Sequence, residues 1–158
     1  MKIGKIMLVA GMGLLLSTSA LNKAVDPHTP YQYVSEVLGM QNSFHDPNLM
    51  WRAVESPVLI WLAVFVVICT QAMTGIACLW GAVDMLRGWK DTDQFNASKD
   101  IAIRSLNLVA VFYLLGLLVV CGEWFVVWQN PDSHLLEDAF RGFVMAMLIL
   151  FWVRDSDE

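Results

Sequence analysis

The stretch 57-PVLIWLAVFVVICTQAMTGIACLWGAVDML-86 decides the fold class, because only Thr70, Gln71, Thr74 and Asp84 interrupt its apolar character. A helix needs about 20 apolar residues to cross a hydrocarbon layer about 30 Å thick, and this run exceeds that length. Ser56-Pro57 places a capping residue before a proline, the pairing expected at Ncap and N1, so a transmembrane helix is expected over 57–86. Thr70, Thr74, Ala77, Gly81 and Asp84 follow one another at helical spacing and share one face, with Gln71 beside them. Small and polar side chains on one stripe are what close helix packing in a bilayer uses. Trp61, Phe65 and Leu79 are left to face lipid or fill gaps.

Upstream, Lys2 and Lys5 precede an apolar run from Ile6 to Leu16 and then Ser17-Thr18-Ser19-Ala20. A secretory signal has this form. The reading adopted is a retained transmembrane helix over about 3–23. The intervening outer loop, 24–56, is polar and dense in proline. Thr29-Pro30 marks the start of a short amphipathic helix through Met40, and Trp51-Arg52 forms an interfacial pair.

Downstream, two further apolar runs give helices over 101–129 and 135–153, the first preceded by a charged loop from Arg87 to Lys99 in which Asn96 or Ser98 is a capping residue. The expected class is therefore all-α: a polytopic membrane protein forming a four-transmembrane-helix bundle, with a helical extracytoplasmic loop, in a single domain over 1–158. Lys2, Lys5, Arg87, Lys90, Lys99, Arg104 and Arg154 then fall on one side, and Lys23, Arg52 and Arg141 on the other. The positive-inside rule makes the first side cytoplasmic, with both termini.

The turn Asn130-Pro131-Asp132 brings two charges into play. Glu123 and Arg141 are equally far from Asp132, so in an antiparallel hairpin they sit at similar depth. Asp84 and Arg104 are placed in the same way about Gln94. A buried charge costs several kcal/mol unless paired, so each couple is expected to form an ion pair that sets helix register, with a titrating Glu123 as the alternative. Asn107 and Gln71 fall near mid-membrane and are expected to make interhelical hydrogen bonds.

Other chemistry finds little footing. The formal net charge of -5 comes from acids in loops and after Arg154, and no basic patch interleaved with aromatics suggests a nucleic acid partner. Cys69, Cys78 and Cys121 lie inside apolar runs without metal-ligand or disulfide spacing. No histidine lies in a span, which removes a pair of imidazoles for a membrane haem. Asp26, His28, His45, Asp46, Asp132 and His134 share the loop side but match no compact metal motif. No catalytic motif is present, and no cofactor or metal is expected.

Several motifs together carry a family likeness: Leu21-Asn22 after the first helix, Leu49-Met-Trp-Arg-Ala53, Ser56-Pro57, Cys78-Leu-Trp-Gly-Ala82, Gly122-Glu-Trp-Phe125, Trp128-Gln129 and Ala139-Phe-Arg141. With these the chain resembles a bacterial family of predicted small integral membrane proteins of unknown function. The resemblance implies four transmembrane helices in a bacterial inner membrane and implies no activity. The functional expectation is a non-catalytic accessory or structural subunit, bound to the lipid bilayer and to other membrane subunits or a second copy of itself. The alternatives are a small proton- or ion-coupled carrier or channel using Glu123, and a supporting component of a redox membrane complex.

Overall fold

The computed structural model describes residues 1–158 and contains helices and turns but no strand. Helix α1 is Lys2–Val25, α2 is His28–Leu38, α3 is Pro57–Arg87, α4 is Thr92–Ala97 and α5 is Asp100–Val111. Helix α5 runs on without a break as a π-helical segment, Phe112–Trp124, and α6 is Leu135–Arg154. The all-α class holds. Three stretches are long and apolar enough to cross a membrane: α1, α3 and Thr92–Trp124, of which Asp100–Trp124 is unbroken helix. Helix α6 has 20 residues but carries Glu137, Asp138 and Arg141 in its first two turns, so its charges set it apart from the other three.

The span expected over 57–86 matches α3 to within a residue, and α1 extends slightly beyond 3–23 at both ends. The helix expected over 101–129 stops at Trp124 instead. Val126 adopts the left-handed region, φ 47 and ψ 41, a strained position for a β-branched residue and one from which no helix continues. The chain then folds back and buries Phe125 and Val126 against Met40, Leu49 and Val54 of the preceding loop. The Oε1 atom of Gln129 accepts a hydrogen bond from the Phe44 N–H at 2.9 Å, joining the two loops.

Helix α2 begins at His28, two residues before the expected start at Pro30. Asp26 rather than Thr29 is the capping acceptor, taking the Thr29 hydroxyl at 2.6 Å. That hydrogen bond holds the Asp26 carboxyl below its ordinary pKa. The loop expected between Arg87 and Lys99 contains α4, capped by Asp91 accepting from Asp93 and Gln94 N–H groups. Neither Asn96 nor Ser98 caps α5. The Ser98 hydroxyl bonds the Phe95 carbonyl instead, and Asn96 is taken up in a buried cluster described below.

Helices α1, α3, α5 and α6 form a ring, neighbour against neighbour, closed by a sparser α1–α6 contact. Two faces can be named: a terminal face bearing Met1, α4 and the residues after Arg154, and a loop face bearing α2 and the 125–134 turn. The main core, with Val9 and Met12 of α1, Met85 of α3, Leu106 of α5 and Val153 of α6, fills the half nearer the terminal face. Glycines permit this density. A Cβ on Gly75 would lie 2.7 Å from the Ser17 backbone nitrogen, and one on Gly81 would lie 2.7 Å from that of Ala102. Outward, Met7, Leu14, Trp61, Phe65, Met73, Trp80, Leu108 and Phe151 form an exposed apolar girdle of the kind lipid covers.

Candidate functional site

A cavity of about 640 Å³ opens in the loop-facing half of the ring, where the core thins out. Its walls are Ala63, Val64 and Val67 of α3, Phe112, Tyr113 and Leu117 of the π-helical segment, and Ala139 of α6, with Tyr33, Val34 and Val37 of α2 as a roof. The volume lies within the range of about 300–1,000 Å³ usual for small-ligand pockets, and the lining is mostly apolar as such pockets are. The π-helix widens the wall it contributes. Its i→i+5 bonding, visible where the Phe125 N–H reaches the Val120 carbonyl at 3.0 Å, changes which side chains face inward relative to an α-helix.

The roof is held at both ends. Tyr31 stacks on Trp61 with ring centroids 4.6 Å apart, and the Tyr33 hydroxyl lies 3.1 Å from that of Ser133 in the turn before α6. The Val54 N–H donates to the Leu38 carbonyl at 2.8 Å, tying the end of α2 to the chain entering α3.

Polar groups enter the cavity from two sides. On α1, Lys23 is half-buried and donates to the Ser19 hydroxyl at 2.6 Å, while Ser19 in turn approaches Gln71 Oε1 at 3.4 Å. No carboxylate pairs with Lys23. Asp132, His134 and Asp138, all exposed, line the rim at the start of α6. Asp138 is held by Arg141 at 2.7 Å and His134 lies 3.8 Å from Glu137, whereas the Asp132 side chain has no partner. The cavity therefore presents one unpaired cation and one unpaired carboxylate.

The second polar site lies at the terminal face and is of a different kind. Lys5 and Lys99 both donate to Asp157 Oδ2, at 2.7 and 2.6 Å, and to the Asp155 carbonyl, at 2.6 and 2.7 Å. Asn96 completes the set, accepting from Lys99 at 2.8 Å and from the Asp157 N–H at 3.1 Å, and donating to the Asp157 carbonyl at 3.0 Å. The side chains of Lys5, Lys99 and Asp157 are 1%, 4% and 6% exposed. Burial alone would raise the Asp157 carboxyl, but the hydrogen bonds and charges of the two lysines outweigh it and hold its pKa below the ordinary value. Every group in this cluster is satisfied from within the chain, so it acts as a latch between α1, α5 and the segment after α6.

The expected cross-helix ion pairs do not form. Arg141 pairs with Asp138 on its own helix at 2.7 Å, and Glu123 is exposed on the last turn of the π-helical segment without a partner. Asp84 pairs with Arg87 at 3.1 Å, and Arg104 with Asp100 at 2.9 Å. Counting outward from a turn gives depth but not rotation about the helix axis, and here rotation leaves Arg104 and Arg141 outside. A carboxylate one turn away on the same helix is the nearer partner.

The stripe of α3 is brought inward. Thr74 donates to the Thr70 carbonyl at 2.6 Å, buried Gln71 approaches Ser19 of α1, and Gly81 meets Ala102 of α5, with half-buried Ala77 between them. These residues are used in packing within the chain. Asn107 differs: it is exposed, and its side-chain amide donates to the Ile103 carbonyl at 2.8 Å. No three of the loop-side aspartates and histidines come together. The latch was missed because Lys5 and Lys99 read as flanking charges and Asp157 as part of an acidic terminus. The one available signal was Lys5 itself, a turn inside the first helix.

Apolar helices of spanning length, an outward apolar girdle and charged groups gathered toward the two ends define a small helical integral membrane protein. The chain belongs to the family described as predicted small integral membrane protein (DUF2165), which matches residues 1–155. No curated protein and no solved structure matches it.

Proposed function

We propose that the chain is a non-catalytic membrane protein that works by holding a membrane-soluble ligand in the loop-face cavity. The observation that carries this reading is the cavity itself, about 640 Å³ of mostly apolar space inside a chain whose other half is closely packed. An empty void of that size would forfeit much of the packing that stabilises a small bundle. The test is native mass spectrometry of protein extracted gently from its own membrane. A small-molecule mass surplus that disappears in the double variant Val67→Trp, Leu117→Trp supports the reading; bare protein in both samples sinks it.

In this reading the chain crosses a bacterial inner membrane four times, α6 included, with both termini cytoplasmic. The supporting asymmetry is Lys2, Lys5, Arg87, Lys90, Lys99, Arg104 and Arg154 toward the terminal face against Lys23, Arg52 and Arg141 toward the other.

A second reading, an accessory subunit of a larger membrane complex or a homo-oligomer, is favoured by Asn107. At about 1.5 Å per residue this side chain lies roughly 10 Å along the helix from Asp100, exposed among Leu108 and Val111. An outward carboxamide at that depth gains a partner when another helix covers it. If it does, cysteine at position 107 cross-links to a neighbouring chain in native membranes and Asn107→Leu weakens the assembly. A strictly monomeric wild type in gentle detergent and in nanodiscs excludes it.

A further inference from the structure

Two charged side chains line the cavity without an ion-pair partner in the chain: half-buried Lys23 and, at the exposed rim, Asp132. Lys23 comes from the last turns of α1 and reaches only the hydroxyl and carbonyl of Ser19, at 2.6 and 3.4 Å. Asp132 comes from the turn before α6, and its carboxylate has no partner, although its backbone N–H is bonded to Asn130 at 3.0 Å. The remaining titratable groups facing this space do not alter the balance. Asp138 is matched by Arg141, His134 sits beside Glu137, and Tyr113 and Cys121 are uncharged in their ordinary forms. The rest of the lining is mostly apolar, with Val64, Val67, Phe112 and Leu117 among it.

We propose, building on the cavity reading above, that the occupant is a lipid with a zwitterionic phospho-head. One acyl chain would lie in the apolar cavity, its phosphate against Lys23 and its ammonium against Asp132. A purely apolar ligand would leave Lys23 half-buried without a counter-charge. A purely anionic one would satisfy Lys23 but make no use of Asp132, which would stay hydrated at the rim. A head bearing both signs meets both groups, and Ser19 and Gln71 beside Lys23 supply further hydrogen-bonding capacity for phosphate oxygens. Lys23 and Asp132 both lie toward the loop face, where a lipid headgroup belongs if the chain reaches inward along the bundle.

The experiment uses the full chain in micelles and native mass spectrometry, with three probes of equal chain length: lysophosphatidylethanolamine, lysophosphatidylglycerol and monoacylglycerol. The zwitterionic probe should be retained about tenfold better than monoacylglycerol, the ratio one charge-assisted hydrogen bond supports. Lys23→Gln should reduce both phospholipids to the monoacylglycerol level, with Lys23→Arg restoring them as a control for folding. Asp132→Asn should remove only the preference for ethanolamine over glycerol. Equal retention of the three probes, or a phosphatidylglycerol probe bound as well as the ethanolamine one by the wild type, overturns the head assignment while leaving the cavity reading intact. Binding of all three that survives Val67→Trp with Leu117→Trp, or binding of none, overturns both.

Discussion

At the terminal face two lysines converge on one carboxylate, while at the loop face a single lysine reaches nothing more than a serine. Lys5 and Lys99 are enclosed by packed helices and are neutralised, in part, by Asp157. Lys23 stands at the edge of open volume and has no carboxylate. Both ends belong to one ring of helices, so the difference lies in how tightly each half is drawn together. Glycine and alanine at the crossings bring backbones together from Gly13 and Gly75 toward Gly81 and Ala102. Beyond the latch-bearing half, the π-helical turns and the roofing helix α2 line the cavity. One half is closely packed and the other is left open.

The largest effect should come from breaking the latch. Asp157→Asn leaves two enclosed ammonium groups without a counter-charge, and losses of this kind run to about 3–5 kcal/mol. Thermal unfolding in detergent should report it, and a variant as stable as the wild type would show that the cluster contributes nothing. The effect should depend on pH in a definite direction. A carboxyl held below its ordinary pKa contributes fully above about pH 3.9, and its contribution is lost as pH falls through the lower folded value. Wild type and Asp157→Asn should therefore converge in strong acid.

A matched pair of enlargements sharpens the contrast between halves. Gly81→Val drives new atoms into the Ala102 backbone, which cannot move aside as a side chain can, and should cost about 1–3 kcal/mol. Val67→Phe adds bulk to the cavity wall and should be neutral or stabilise by about 0.5–1 kcal/mol. Equal losses for the two would mean that the loop-face half is as full as the other. The smallest effect is expected for Tyr33→Phe, which removes the bond to Ser133 at the surface and should lower stability by about 0.5 kcal/mol or less. Faster amide exchange confined to α2 is its expected signature.

Helix identity was legible in the sequence because it rests on long runs of one property. Pro57 to Leu86 needed no tertiary information to be read as a span. Depth along a helix was legible as well, but rotation was not, and both supposed cross-helix ion pairs failed on rotation. The bend at Val126 was hidden for a related reason: Phe125 to Gln129 is as apolar as the helix before it, and only its burial against Met40 distinguishes the two. The cavity could not be read at all, since its lining comes from α1, α2, α3, Phe112–Trp124 and α6, a convergence no local composition announces. Lys5 and Asp157 form a site only because the fold brings together residues 152 positions apart.

That separation orders events during synthesis. Lys5 enters the membrane early, inside the first helix, and waits through the making of every later helix before Asp157 emerges from the ribosome. Until then its ammonium group lacks the carboxylate that meets it in the finished fold. Arrival of Asp155 to Asp157 supplies that carboxylate and ties α1 to α5. The latch can therefore close only after the last helix has been made, and a chain that stops short of Asp157 leaves Lys5 and Lys99 without their shared carboxylate.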